Sequence, residues 1–253
     1  MYLPEAFGMS PGGRQCVALV GGGGKTTTMF ALARALKANG ARVLVTTTTN
    51  IFTPERAQYD RLLVSDAPDI AELDGTQPGT VVCLAGAPVE GKNKLRNVAP
   101  GFLAQVHRRG WFDAIIVEAD GARRLPIKAP ADYEPVMPSC ATMVIGCIGM
   151  DALGTPLDED HVHRAQLFCG LTGAHPHEAV SVDHIVRLIS APNGLFKAAP
   201  RPARRTVLLN KADTDGMRHE AHRLADRIVA AVPGVSVVIA SMTRTVIHAS
   251  RQM

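Results

Sequence analysis

Val17-Ala18-Leu19-Val20 runs directly into Gly21-Gly22-Gly23-Gly24-Lys25-Thr26-Thr27-Thr28. That order of residue types points to phosphate chemistry. Glycines let a backbone turn its N–H groups toward one anion, and a helix that starts there adds the positive end of its dipole. A lysine closing such a loop reaches the terminal phosphates of a nucleotide, and the adjacent hydroxyl can ligate Mg²⁺. The full G-x-x-x-x-G-K-[ST] pattern needs glycine where Leu19 stands, so this is a shortened form, G-x-x-G-K-T-T. Gly21, Gly22, Gly23, Gly24, Lys25, Thr26 and Thr27 are the expected nucleotide-binding residues, with Lys25 an exposed loop side chain. The bland alternative is a glycine-rich hairpin with a solvated lysine. It does not explain why a strand precedes the loop and an amphipathic helix follows it.

A second apolar strand, Ala114-Ile115-Ile116-Val117-Glu118, continues into Ala119-Asp120-Gly121. Two carboxylates at the C-terminal edge of a parallel sheet face the same crevice as the glycine loop. One of them should hold Mg²⁺, directly or through water. Asp120 is favoured for the metal, together with Thr26, because Asp-Gly suits a loop that senses the terminal phosphate. Glu118 then orients water or shares the ion, and Lys25, Glu118 and Asp120 form the expected catalytic set. Two acids in an ordinary turn are the alternative.

Thr206-Val207-Leu208-Leu209-Asn210-Lys211-Ala212-Asp213 is a strand followed by N-K-x-D. An ionised aspartate at that position accepts two hydrogen bonds from the N1–H and 2-amino groups of guanine. Adenine offers neither, so the carboxylate would go unpaired. Asn210 can bond the base edge and the Lys211 stem can cover its face. The motif therefore favours GTP over ATP; a helix cap by Asp213 or Asp215 is its plain alternative.

Other residues suit a second substrate. Thr46–Thr49 and Asn50 follow a strand, where four hydroxyls either meet a ligand or satisfy strand-end backbone. Arg123, Arg124 and Lys128 stand close to Asp120 and can neutralise anionic charge. In His161-Val162-His163-Arg164 the two histidines, placed on a helix, point to different faces, which argues against zinc and leaves an anion-binding role. Thr48, Asn50, Arg123, Lys128, His163 and Arg164 are the substrate candidates. The charged stretch Glu90–Leu95 reads as a solvated turn.

These residues need a scaffold that delivers several strand ends to one edge. Short β-branched runs at Cys16–Val20, Arg42–Thr46, Thr80–Leu84, Ala114–Glu118, Thr142–Ile148, Thr206–Leu209 and Val235–Ala240 read as strands. Helix patterns fall between them at Thr26–Ala38, Pro100–Arg109, Asp160–Leu171, Ser181–Ile189 and Gly216–Ala231. The expectation is an α/β fold of the P-loop NTPase kind, with a mostly parallel sheet of about seven strands and helices on both faces. It is read as a single domain over residues 1–253. A stiff excursion at 121–139 carries Pro126, Pro130, Pro135 and Pro138, and a helical insert spans about 150–204.

Composition narrows the class. The 253 residues carry 27 Lys+Arg against 23 Asp+Glu, a formal charge of +4 that is spread along the chain. With one Trp, three Tyr and seven Phe there is little to stack on nucleic-acid bases, so nucleic acid is not an expected partner. Five cysteines without C-x-x-C spacing argue against a disulfide framework. No apolar run approaches a membrane span, and Met1–Gly13, with Pro4, Glu5 and Pro11, does not read as a signal peptide, which points to the cytoplasm.

Shortened glycine loops also occur in chromosome-partitioning and metallocentre-assembly NTPases and in amino-acid ligases of cell-wall synthesis. The partitioning proteins carry a lysine where Val20 stands here. Taken in order, V-G-G-G-G-K-T-T-T, L-V-T-T-T-T, I-V-E-A-D-G-A-R, I-K-A-P-A-D-Y-E-P, H-V-H-R and L-L-N-K-A-D resemble the selenium-dependent hydroxylase accessory family, also called the YqeC family. The likeness runs from about Gln15 to about Ser241. It implies a cytoplasmic Mg²⁺-dependent nucleotide-binding protein whose partners are molybdenum hydroxylases or their cofactor-maturation proteins. No cysteine falls in the shared motifs, so direct selenium transfer lacks a nucleophile. The expected activity is GTP hydrolysis. The alternatives are an ATP-dependent kinase or ligase acting on a small molecule, and a nucleotide-dependent binding switch.

Overall fold

The computed structural model describes residues 2–10 and 12–251. Met1 and Pro11, which entered the N-terminal reading, lie outside the described residues. The chain opens with α1 (Leu3–Ala6), β1 (Gln15–Gly21), α2 (Lys25–Ala38) and β2 (Val43–Thr47). Then come β3 (Ile51–Phe52), β4 (Arg61–Val64), β5 (Val81–Ala85), β6 (Lys94–Leu95), α3 (Pro100–Arg109) and β7 (Ala114–Glu118). The middle holds β8 (Ile127–Lys128), β9 (Met143–Gly149), β10 (Val162–His163), α4 (Ala165–Thr172) and α5 (Val182–Ser190). It closes with β11 (Arg204–Asn210), α6 (Asp215–Ala231), β12 (Val235–Ser241) and β13 (Val246–Arg251).

Nine strands form one sheet in the order β13-β12-β11-β9-β1-β7-β2-β5-β4. Neighbours run parallel except for β12 and β13. The fold is α/β with a large, mostly parallel sheet. Its central strands are continuously apolar because both faces are covered. Val17 and Leu19 pack in one cluster with Met29, Leu32 and Ala33 of α2. Ala18 and Val20 face the other way, in a cluster with Phe168 of α4, Leu188 of α5 and Leu224 of α6. Leu103 and Val106 of α3 pack with Leu44 and Ile115.

The expected seven strands all form, and the sheet has two more. β4 and β13 are its edges and leave their side chains half exposed. A half-exposed edge lacks the long apolar run that marks a buried strand. The expected helix at Asp160–Leu171 also needs correction, because α4 starts only at Ala165. Val162–His163 instead pairs with Ile127–Lys128 as a short parallel ribbon, and Arg164 enters the left-handed region at φ 63° to start α4. His161 and His163 are therefore not helical. The two expected helices of the 150–204 region are present as α4 and α5. Ser181 caps α5 by accepting from His184 N.

The proline-rich stretch is a strap laid over the glycine loop. Gly23 N donates to Leu125 O at 3.0 Å, Gly149 N to Pro126 O at 2.8 Å, and Val136 N to Ala119 O at 3.0 Å. This contact demands glycine. A Cβ on Gly22 would sit 2.7 Å from Leu125 O, and one on Gly23, at φ +77°, would run into Gly149 N. Cys16, Cys83 and Cys147 are buried, all five cysteines are free, and Cys16 Sγ lies 3.4 Å from Cys140 Sγ. Among the described residues no helix is long and apolar enough to cross a membrane.

Candidate functional site

The strand order places β2, β5 and β4 on one side of β1 and β7, and β9, β11 and β12 on the other. Such a division opens a crevice at the carboxyl ends of the central strands. Gly21–Thr27, Glu118, Asp120 and Lys211 all arrive there.

α2 begins without a side-chain cap, its N-cap being Gly24 at φ 119°. The N–H groups of Gly21, Gly22 and Gly23 turn inward, to Asp120 Oδ2 (3.0 Å), Cys147 O (3.0 Å) and Leu125 O (3.0 Å). Those of Gly24, Lys25, Thr26 and Thr27 have no acceptor among the described residues. Four successive donors at a helix start carry the positive end of the helix dipole. In α5 and α6 the same need is met by Ser181 and Thr214.

Lys25 is buried, contrary to the expectation of an exposed side chain. Its ammonium donates to Gly21 O at 2.6 Å and pairs with Asp120 Oδ1 at 3.2 Å. Burial works against this charge, but Asp120 and Glu118 outweigh it and hold the lysine pKa above its ordinary value. Thr26 Oγ1 donates to Glu118 Oε2 at 2.6 Å. Burial pushes the Glu118 carboxyl up, and Lys25 with the Thr26 hydrogen bond pulls it only part of the way back.

Asp120 belongs to a buried chain of charges. Besides Lys25 and Gly21 N, it pairs with Lys128 Nζ at 3.3 Å. Lys128 is 1% exposed and also binds Gly121 O (2.6 Å) and the Glu134 carboxylate. Arg164 closes the chain on Glu134 Oε2 at 2.6 Å. Burial would raise the Glu134 carboxyl, but Arg164 and Lys128 keep it below its usual value. Glu134 was not singled out by type or spacing, since its partners are Lys128 of β8 and Arg164 at the start of α4, which only the fold brings to it.

Asn210 is buried with both amide atoms engaged. Nδ2 donates to Gly23 O at 2.7 Å, and Oδ1 accepts from Met242 N at 2.9 Å. It ties the glycine loop to the end of β12, and each amide atom keeps one further hydrogen-bonding position. Lys211, at φ 60°, pairs with Asp151 Oδ2 at 2.6 Å. The Asp213 carboxylate is exposed, with Arg244 at 3.3 Å from Oδ1.

A cleft of about 770 Å³ opens beside Gly23–Thr27 and Glu118, walled by Asn50, Phe52, Lys94, Arg123, Arg124 and Lys211. Two of the expected substrate residues, Asn50 and Arg123, stand in it. Thr48 is buried and donates its hydroxyl to Val136 O at 2.7 Å, while Thr47 bonds Glu118 O at 3.0 Å, so these hydroxyls hold strand-end backbone. Lys128 and Arg164 belong to the buried charge chain. His163 lies beside it, its pKa pushed down to about 4 by burial first and then by Arg164, Lys128 and Arg123. No group of three or more metal-ligating side chains forms among the described residues.

The family model for the YqeC protein matches residues 17–166, more than half of the chain and all of the charge chain just described. The chain belongs to the YqeC family. A relative from Escherichia coli (strain K12), described as an uncharacterized protein YqeC, is 33% identical over 195 residues, covering 77% of this chain and 75% of the relative. Within the YqeC match fall the glycine loop, Glu118, Asp120, the strap with Lys128 and Glu134, and Arg164. Asn210–Asp213 lies beyond it.

Proposed function

We propose that the chain binds a Mg²⁺-nucleoside triphosphate at the start of α2 and hydrolyses it, with GTP favoured over ATP. One observation carries this reading: Gly24–Thr27 present four N–H groups without acceptors beside a buried lysine, at a helix with no side-chain cap. A phosphate would supply the missing acceptors, and Lys25 would add charge where the phosphoryl group leaves.

Thr26 and Glu118 fit a magnesium ion. Both are oxygen donors, their oxygens already lie 2.6 Å apart, and both border the cleft. This assignment prefers Glu118 to Asp120, whose Oδ2 accepts from Gly21 N and faces Lys128 and whose Oδ1, without a hydrogen bond, lies 3.2 Å from the Lys25 ammonium. When bound, the ion would neutralise charge on the phosphates. Asp120 then acts by holding Lys25 at the loop. Base choice rests on Asp213, with Asn210 bracing the loop beneath it. The family resemblance adds the role of this hydrolysis, a step in maturing the cofactor of a molybdenum hydroxylase.

The second reading is a kinase or ligase that transfers to or activates a small acceptor. The size of the cleft and its cationic far wall favour it over a pure switch.

Calorimetric titration with GTP and ATP, with and without Mg²⁺, tests the site. Binding should be lost in Lys25→Ala and should lose its Mg²⁺ dependence in Thr26→Ala, with circular dichroism unchanged. Affinity unmoved by both substitutions would remove the nucleotide reading.

A further inference from the structure

The cleft extends past the place where a terminal phosphate would lie. Gly23–Thr27 form its floor, and the far wall is Phe52, Lys94, Arg123 and Arg124. Phe52 is a large side chain left 38% exposed. The Arg124 guanidinium lies 4.2 Å from its ring centroid, and the Lys94 ammonium 4.8 Å. Neither they nor Arg123 have a carboxylate within ion-pair distance among the described residues. Lys25, Lys128, Arg164 and Lys211, deeper in the site, all do.

The backbone that aims these arginines is strained. Arg123 and Arg124 are consecutive residues in the left-handed region, at φ 49° and 66°. Side chains other than glycine, asparagine and aspartate rarely adopt it, and two in a row persist only when the surroundings impose them. The imposing contacts are Leu125 N to Ala122 O at 2.8 Å and Gly23 N to Leu125 O at 3.0 Å. The second ties this turn to the glycine loop itself. Three cations outside any ion pair outnumber the one acid beside them on the wall, Glu55, and strained backbone holds two of them against a phosphate-type loop, so the wall is built to meet negative charge.

We propose that this far wall is a second-substrate subsite for a planar conjugated molecule carrying a phosphate or carboxylate. The ring system stacks on the open face of the Arg124 guanidinium, whose other face rests on Phe52. The anionic group lies against Arg123 and Lys94. The same cations offset repulsion between this anion and a neighbouring triphosphate, which two anions in one cleft require. Thr48, Lys128, His163 and Arg164 take no part, being committed to the fold behind the cleft. The proposal rests on the nucleotide reading for what lies beside the subsite, and its own test does not need that reading.

Flavin mononucleotide is a suitable probe, because riboflavin has the same ring system without the phosphate. Fluorescence titration at low ionic strength should show flavin mononucleotide binding at least about tenfold tighter than riboflavin, with the gap shrinking as salt rises. Arg123→Ala and Arg124→Ala should each weaken it several-fold. Arg124→Lys should weaken flavin mononucleotide while sparing inorganic pyrophosphate, since charge is kept and the stacking plane is lost. Lys25→Ala should leave the probe bound while abolishing nucleotide binding. Equal affinity for the two flavins, or no response to either arginine substitution, overturns the subsite. Loss of the probe in Lys25→Ala alone would place it on the glycine loop and overturns the subsite as well. If the arginine variants respond but no nucleotide binds the parent protein, the subsite stands and the nucleotide reading falls.

Discussion

Thr26 Oγ1 and Glu118 Oε2 are 2.6 Å apart, a hydrogen bond from the first turn of α2 to the last residue of β7. Glu118 is thereby the carboxylate that faces the loop hydroxyl, while Asp120 turns to the lysines. The two acids should fail differently when neutralised. Glu118→Gln should abolish Mg²⁺-dependent turnover with little loss of stability. Asp120→Asn should lower stability, because Lys25 and Lys128 lose a buried counter-charge. Metal titrations beside denaturant melts separate the two. A large metal effect from Asp120→Asn alone would return the ion to Asp120.

Lys128 is expected to matter for the fold more than for substrate. Removing one member of a buried ion pair costs about 3–5 kcal/mol, because the charge left behind is uncompensated. Lys128→Met should fall in that range by urea unfolding. Glu134→Leu in the same chain should recover part of the loss, since Arg164 is exposed enough to find water. Additive losses in the double-mutant cycle would mean that the pair is not coupled.

Asn210 and Asp213 should separate bracing from base choice. Asn210→Ala leaves Gly23 O and Met242 N without partners, costing about 1–3 kcal/mol and weakening GTP and ATP alike. Asp213→Asn should weaken GTP selectively and improve xanthosine triphosphate, whose 2-oxo group accepts from the new amide. Equal affinity for GTP and ATP in the parent protein, unmoved by the substitution, would make N-K-A-D a strand-end turn and favour the transferase.

His163 should register as an acid-side loss of stability. Its folded pKa, about 4, lies below the ordinary 6.5, so the unfolded chain takes up the proton first. The contribution of neutral His163 is present above about pH 6.5 and is lost as pH falls toward 4. Thermal melts of the parent should drop more steeply across that window than those of His163→Gln. Parallel curves would place the histidine in contact with water.

Much of the scaffold was legible because its cause is local. Glycine followed by Lys-Thr, the continuous apolar strands and the ends of α3 at Pro100 and Gly110 each reflect short-range sterics or two-sided burial. Those features fall where periodicity and turn chemistry put them. Edge strands β4 and β13 escaped, since half-exposed strands carry no such signal.

Side-chain partnership was a different matter. Glu118 and Asp120 stand two residues apart in one motif, and sequence offered no means of telling which meets Thr26. Lys25 read as exposed until Asp120 and Gly21 O took its ammonium inward. His163 read as helical until Val162–His163 found Ile127–Lys128. Lys128 and Arg164 read as cations for an anionic substrate, and only the fold placed Glu134 between them. Backbone preference and hydrophobic period are properties of neighbouring residues, so the chain itself determined its strands, its loop and their order. Burial and ion pairing depend on residues brought together from distant segments, and only the tertiary structure decided which charge meets which.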